Sequence, residues 1–266
     1  MTLLPEERQQ VILDELNRHG KIQVMSLAKT LAVTPETIRR DLDQLEQQRL
    51  LKRVYGGAIP YHLAKREPHF EKKQAIQQTA KTKIGQIAAE LLSDGDTIAL
   101  DVGTTTLELA RAIKGLNQLT IVTNSLPAAS LLNELLEVNQ FNGQIIMLGG
   151  LTHPAQKSVA GAFTCELLSR FHFDKAFISC GGITADGFTD YDMEETLCST
   201  MMVQRSEQVY VLGDKSKIGQ TQFFRICGWQ DVSAVVCDQP MPDEWLSSGM
   251  QTTWISEHPG RRDFTC

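Results

Sequence analysis

The sequence predicts two folds in series: an N-terminal winged helix-turn-helix and a C-terminal α/β domain with a mostly parallel sheet. Three observations carry this. Residues 34–57, TPETIRRDLDQLEQQRLLKRVYGG, read as a capped amphipathic helix running into a basic hairpin. From Thr79 onward, helical segments alternate with short, wholly apolar strands, the pattern of a parallel sheet covered on both faces. Between them lies a polar stretch in which Pro60 and Pro68 bracket Lys65, Arg66 and Glu67. The expected organisation is a winged helix at 1–58, a linker at 59–75 and the α/β domain at 76–266.

Leu4, Val11, Ile12 and Leu16 make the stripe of a first helix stopped at Gly20. Leu27, Ala28 and Leu31 belong to a second, short helix, and Ala32-Val33 turn into Thr34. Thr34 is a good N-cap, with Pro35 at the first helical position, where its missing N–H costs nothing. Ile38, Leu42 and Leu45 form the buried stripe of the third helix. Arg39 and Arg40 fall off it. Arg49, Lys52 and Arg53 then arrive with no acid between Gln47 and Gly57, and Gly56-Gly57 closes a turn.

A helix with Thr and Arg near its start, followed by a basic β-turn, suits a major groove and its flanking phosphates. The candidate contacts to double-stranded operator DNA are Thr34, Glu36, Thr37, Arg39, Arg40, Lys52 and Arg53. The competing reading is a solvated helix face in which Arg40 pairs with Glu36 and Arg39 with Asp43, each worth about 0.2–0.5 kcal/mol. The whole arrangement favours DNA.

In the second half the pattern predicts helices near 79–92, 105–114, 126–137, 163–170 and 194–204. Strands are expected at 96–101, 119–124, 144–148, 174–180, 208–214, 233–238 and 252–256, with a short helix near Trp245. Ligands of such sheets bind outside the carboxyl ends of the strands, and the polar and glycine residues cluster there. Asp101, Gly103, Thr104, Thr105 and Thr106 follow the first strand and open a helix, a natural anion site. The bland reading of an isolated GTTT is an ordinary Thr cap. Asn124 and Ser125 end the second strand, Gly149 and Gly150 the third, Gly181 and Gly182 the fourth. Asp214, Ser216 and Lys217 end the fifth. Lys217, ahead of Lys215, is placed to neutralise a phosphate. Asp101 and Asn124 are placed for sugar hydroxyls or carbonyls.

TPETIRRDLDQLEQQRLLKRVYGGA resembles the N-terminal signature of the DeoR/GlpR family of bacterial transcriptional regulators. The resemblance runs through most of the chain: DVGTTTLELA at 101–110, TNS at 123–125, LGG at 148–150, CGGI at 180–183 and GDKSKIG at 213–219. It implies a winged helix followed by a sugar-phosphate-sensing domain related to ribose-5-phosphate isomerase. It also implies a phosphosugar pocket with Asp101, Gly103, Thr104, Thr105 and Thr106 on the phosphate loop and Lys217 in the D-x-S-K pattern. Two departures stand out. Family members often carry an Arg shortly after the linker's aromatic, where this chain has Phe70-Glu71-Lys72-Lys73. They often carry a Lys after the acidic pair, where Glu194-Glu195 is followed by Thr196-Leu197-Cys198-Ser199.

The chain has 266 residues and a net charge of −6. Residues 1–60 hold nine Lys/Arg against eight Asp/Glu, and the remainder seventeen against twenty-four. The acidity belongs to the second half, and DNA affinity follows the local field. No run of 18 apolar residues is present, so no membrane span is expected. No charged start leads into an apolar h-region, so no secretion signal is expected. Six scattered cysteines without C-x-x-C read as reduced residues of a cytoplasmic protein, with no metal expected.

The expected function is a DNA-binding regulator, a repressor of a carbohydrate-utilisation operon by resemblance, controlled by a phosphorylated sugar effector. A homo-oligomer, dimer or tetramer, is expected to place paired winged helices on a repeated site. No catalytic residue and no cofactor are expected. The alternative is a sugar-phosphate isomerase-type enzyme, with Asp101, Asp190, Asp192, Glu194 and Glu195 as candidate bases. A dinucleotide-binding regulator fails on the missing G-x-G-x-x-G after any strand.

Overall fold

The chain divides into two units at Glu67/Pro68, each with its own core. The computed structural model describes residues 4–19, 22–48, 50–54, 56–60, 67–246 and 253–256. Gly20, Arg49, Lys65 and Arg66 lie outside the described residues, as does the side chain of Lys52.

In the first unit, α1 (Pro5–His19), α2 (Val24–Thr30) and α3 (Pro35–Gln47) pack around Ile12, Leu16, Leu27, Ile38, Leu42 and Leu45. Thr34 caps α3: its hydroxyl accepts the Thr37 N–H at 3.2 Å, and Pro35 follows at the first position. Strand β1 (Ile22–Gln23) joins the hairpin of β2 (Leu51–Val54) and β3 (Gly57–Pro60) in the order β1-β3-β2. The turn needs Gly56 at φ +77°. Gly57 serves close approach: a Cβ there would lie 1.8 Å from the Ile22 carbonyl oxygen.

Leu4 departs from the expected first stripe. It precedes Pro5, which disfavours helical backbone in the residue before it, and it is 62% exposed. Val11 is half-buried. The inward position one turn earlier belongs to Arg8, whose guanidinium closes on Asp41 of α3 with Nε–Oδ2 at 2.5 Å and Nη2–Oδ1 at 2.9 Å.

The second unit is built on seven parallel strands in the order β15-β14-β12-β9-β4-β5-β6. These are β4 (Thr97–Leu100), β5 (Leu119–Thr123), β6 (Gly143–Met147), β9 (Phe173–Ser179), β12 (Ser206–Leu212), β14 (Ala234–Val236) and β15 (Thr253–Ile255). Alternation assigns the two faces. Ile98, Leu100, Ile121 and Phe177 pack under the helices Gln78–Ala89, Thr104–Ala112 and Leu126–Glu137. Ala99, Val122, Ala176 and Ile178 pack under Ala162–Leu168 and Met193–Gln204. Every strand expected in this sheet is present.

Two additions were not expected. Strands β7 (Leu151–His153) and β8 (Ser158–Ala160) form a hairpin, and β10 (Gly182–Thr184), β11 (Gly187–Asp190) and β13 (Phe224–Cys227) form a small antiparallel sheet. Their three- and four-residue strands are too short for a period of two to stand out. The linker expected at 59–75 is shorter at both ends. Ile59 and Pro60 still pair with Lys52 and Leu51, and Phe70 opens a helix, Phe70–Ala75, with its side chain buried in the second core. No helix among the described residues is long and apolar enough to cross a membrane.

Candidate functional sites

On α3 the expected DNA-facing groups are exposed or half-buried and form few bonds. Thr34 and Thr37 share a hydroxyl contact of 2.9 Å. Arg39 pairs with Glu36 at 3.1 Å, whereas the alternative reading had paired it with Asp43. Asp43 instead takes Arg53 of the wing. The Arg53 N–H donates to Glu46 at 2.9 Å, which ties the wing to α3. Arg40 is exposed and pairs with no acid among the described residues. Exposed ion pairs contribute about 0–1 kcal/mol, so phosphates can displace Glu36 and Asp43 at little cost.

In the second unit the chain order reverses between β4 and β9: from β4 the sheet grows outward through β5 to β6, and from β9 through β12 to β15. In open α/β sheets such a reversal is where a crevice forms beyond the carboxyl ends of the two strands. Asp101 follows β4 there and Ser179 ends β9. Gly103 permits the approach, because a Cβ on it would lie 2.5 Å from the Ser179 side chain. Asp101 is 1% exposed. It accepts from Val102 N at 2.9 Å, Ser199 Oγ at 2.8 Å and, more weakly, Ser179 N at 3.4 Å. Burial pushes its carboxyl up to about 8, against the Ser199 and Val102 bonds and with the fields of Asp190 and Glu195. Ser199 closes the segment Thr196-Leu197-Cys198-Ser199, which carries no cation of its own.

Thr104, Thr105 and Thr106 are buried in the first turn of Thr104–Ala112, whose leading N–H groups have no acceptor within the helix. The Thr106 hydroxyl turns back to the Gly103 carbonyl at 3.1 Å. Leu100 pairs with Thr123 across β4 and β5, so Asp101 and Asn124 follow side by side. Asn124 is fully buried, and neither its Oδ1 nor its Nδ2 has a hydrogen-bond partner. Leaving both unmet is costly, and two such atoms on one side chain set Asn124 apart from the other buried polar groups.

Ser125 is committed locally, its Oγ accepting Ala128 N at 3.3 Å as the cap of the next helix. The glycine pairs have packing uses. Thr164 Oγ donates to the Gly149 carbonyl and fills the space a Gly150 side chain would need. Gly181 and Gly182 lie against Tyr191, Gln222 and the Gln220 carbonyl.

Lys217 is half-buried in the short 3-10 turn Lys215–Lys217 after β12, where Asp214 accepts the Ser216 N–H at 2.9 Å. Beside it stands Lys81, not foreseen from the sequence. It is 3% exposed, and its Nζ donates to the Lys73 carbonyl at 2.5 Å. Desolvation lowers its pKa to about 8. Asp214 opposes that shift, and the charges of Lys217 and Lys73 add to it. Lys81 shares a helix face with Ile84, Gly85 and Ala88, all buried. A lysine in register with that apolar stripe is the sequence signal that points to it. Gly85 brings this helix within packing distance of Glu108, since a Cβ there would lie 2.5 Å from the Glu108 backbone. The carboxyl ends of β4 and β5 thus bring together a helix N-terminus and an unpartnered amide, and the charge of Lys217 acts on Lys81.

Comparison with known proteins agrees with this division. Residues 8–62 match the DeoR-like helix-turn-helix domain, and 76–239 match the DeoR C terminal sensor domain. An uncharacterized HTH-type transcriptional regulator of Staphylococcus epidermidis is 41% identical over 79% of this chain and 83% of its own length. The glycerol-3-phosphate regulon repressor of Escherichia coli K12 is 30% identical over 89% of this chain and 92% of its own. Among solved structures, ribose 5-phosphate isomerase from Plasmodium falciparum covers 53% of this chain and 54% of its own at 14% identity and a TM-score of 0.37, too distant to bear on activity. With both domains matched, in order and over most of its length, the chain belongs to the DeoR family of transcriptional regulators.

Proposed function

We propose that this regulator represses a carbohydrate-utilisation operon and that a phosphorylated sugar bound in the β4/β9 crevice relieves repression. The observation that carries the ligand assignment is Asn124, a fully buried amide with both polar atoms unpartnered, one strand from Asp101 and the Thr104–Thr106 helix start. Thr104–Thr106, Lys217 and Lys81 take the phosphate. Asp101 and Asn124 take the sugar's hydroxyls or carbonyl. Repression is the activity named for the Escherichia coli relative, and it is carried to this chain as part of the proposal. The protein acts in the cytoplasm as a homo-oligomer, with Thr34, Glu36, Thr37, Arg39, Arg40, Lys52 and Arg53 facing operator DNA.

A thermal-shift panel of triose, pentose and hexose monophosphates with their unphosphorylated parents tests the pocket. A ligand bound only to the native state must raise Tm. At least one phosphorylated member should do so, and its parent sugar should not, because the helix N-terminus and the lysines then lack their anion. Equal shifts for both sink the phosphate assignment. Asp101, with its raised pKa, also has the property of a catalytic acid or base. Turnover of any panel member by the purified protein would favour the isomerase reading instead.

A further inference from the structure

The unexpected β7–β8 hairpin lies between two sets of bonds. At one end it is fixed to the crevice. Ser158 Oγ donates to the buried carboxylate of Glu195, and His153 Nδ1 lies 3.1 Å from the same oxygen. Val159 N donates to the backbone carbonyl of Asn124 at 2.9 Å, and Ser125 and Ser158 form a β-bridge. Glu195 sits one turn before Ser199, which holds Asp101.

At its tip, Ala155–Lys157, the loop holds the segment that opens the second unit. Phe70 N donates to the Ala155 carbonyl at 2.9 Å, and the buried Gln156 donates through Nε2 to the Pro68 carbonyl at 3.2 Å. Lys157 pairs with Glu71 at 2.9 Å and lies 5.9 Å above the Phe70 ring. Lys157 itself adopts φ +55°, a left-handed conformation costly for a side chain with a Cβ. Such a conformation persists when its surroundings over-determine it, and here bonds on both sides do so.

We propose that the loop His153–Ser158 is a clasp that passes occupancy of the crevice to Pro68–Glu71, the segment that follows the DNA-binding unit in the chain. This rests on the sensing role proposed above. A ligand that bonds the Asn124 amide acts on the residue whose carbonyl anchors Val159. Any displacement of β8 reaches Ala155–Lys157, where loss of one anchor lets Lys157 leave its strained conformation and release Phe70.

The test uses the full chain, wild type and Glu71→Ala/Gln156→Ala, with three readouts. The first is the Tm shift with whichever sugar monophosphate of the panel gives the largest one. The second is amide exchange at Phe70. The third is affinity for a duplex selected by the wild type from a random pool, with and without that compound. In wild type the compound should change Phe70 exchange and should change DNA affinity within the usual allosteric range of about 5- to 150-fold. The double variant should keep the Tm shift and its ligand-free DNA affinity but lose most of the DNA response. A full DNA response in the double variant, or unaltered Phe70 exchange in ligand-bound wild type, overturns the clasp while leaving the pocket intact. If no panel member shifts the wild-type Tm, the sensing role falls and the clasp falls with it.

Discussion

Arg8 and Asp41 in the DNA-binding unit and Lys81 and Asp101 in the sensing unit are all buried, between 1% and 8% exposed. Their surroundings are opposite. Arg8 and Asp41 close on each other through two parallel bonds, and the pair braces α1 against α3. Lys81 donates to a backbone carbonyl, and Asp101 accepts from hydroxyl and amide donors. Among the described residues neither has an opposite charge in bonding geometry. Both pKa values move toward the neutral form. A buried charge closed on its complement holds elements together. A buried charge without one raises the energy of the folded state and marks a site.

The brace should give the largest effect. Asp41→Ala takes both carboxylate bonds from a buried guanidinium, and breaking a buried pair from one side costs about 3–5 kcal/mol. The first unit should then melt well below the second in a calorimetric scan, and binding to a selected duplex should be lost. Arg8→Met with Asp41→Leu should recover most of the stability, because an apolar pair of similar volume replaces an ion pair at small net cost. A single Asp41→Ala variant that melts like wild type removes the distinction between brace and site.

The site charges should show themselves through pH. Asp101 is raised in the folded state, so between about pH 4 and 8 the native chain holds a proton that the unfolded chain has lost, and stability falls as pH rises. Lys81 is lowered, so above about pH 8 and up to its unfolded value the native chain has lost a proton that the unfolded chain keeps, and stability rises. The two together place a stability minimum near pH 8, and the lower limb is the deeper because the Asp101 shift is the larger. Lys81→Met should flatten the upper limb and Asp101→Asn the lower, measured by urea denaturation at a series of pH values without ligand. Lys81→Met should also abolish the Tm shift with sugar monophosphates. Unchanged limbs in both variants would mean that these groups do not carry the buried charge assigned to them.

The same contrast explains what was legible in the sequence. Helix Leu126–Glu137 was read from its stripe to the residue, and the sheet strands from their apolar runs, because burial on both faces leaves a local compositional record. Asp101, Gly103 and Thr104–Thr106 were legible because a strand end followed by a helix start is a local pattern. The Arg8–Asp41 brace was not, since its partners lie 33 residues apart and each reads alone as a solvated charge. Lys81 is hard to read for a related reason: a lysine on a helix is usually exposed, and only its register with Ile84 and Ala88 argues otherwise. The β7–β8 hairpin left too short an alternation to read.

On the DNA side the effects should be smaller. Arg40→Ala should weaken binding to a selected duplex by about 1–3 kcal/mol if the guanidinium reads a base, and leave non-specific binding nearly unchanged. Lys52→Ala should weaken all duplexes alike and reduce the salt slope by about one unit. Gel-shift titrations over a salt series separate the two. If both variants bind as wild type does, α3 and the wing do not face the groove.

The smallest effect concerns Glu36, which stands among the expected DNA contacts and here holds Arg39 at 3.1 Å. Both side chains are about half exposed or more, so the pair lies at the weak end of the scale, unlike the Arg8–Asp41 brace on the same unit. Glu36→Ala should change the melting of the first unit by no more than about 0.2–0.5 kcal/mol. It should also free Arg39 and remove an acid from the first turn of α3, so non-specific affinity should rise slightly and salt sensitivity should steepen if that turn faces the groove. Specific affinity decides its role. A loss relative to non-specific binding means that Glu36 accepts a hydrogen bond from a base, as a carboxylate can from cytosine. A parallel gain on every duplex means that its part is only to hold Arg39 in the DNA-free protein. Destabilisation as large as that of Asp41→Ala would show that exposure does not separate braces from surface pairs in this unit.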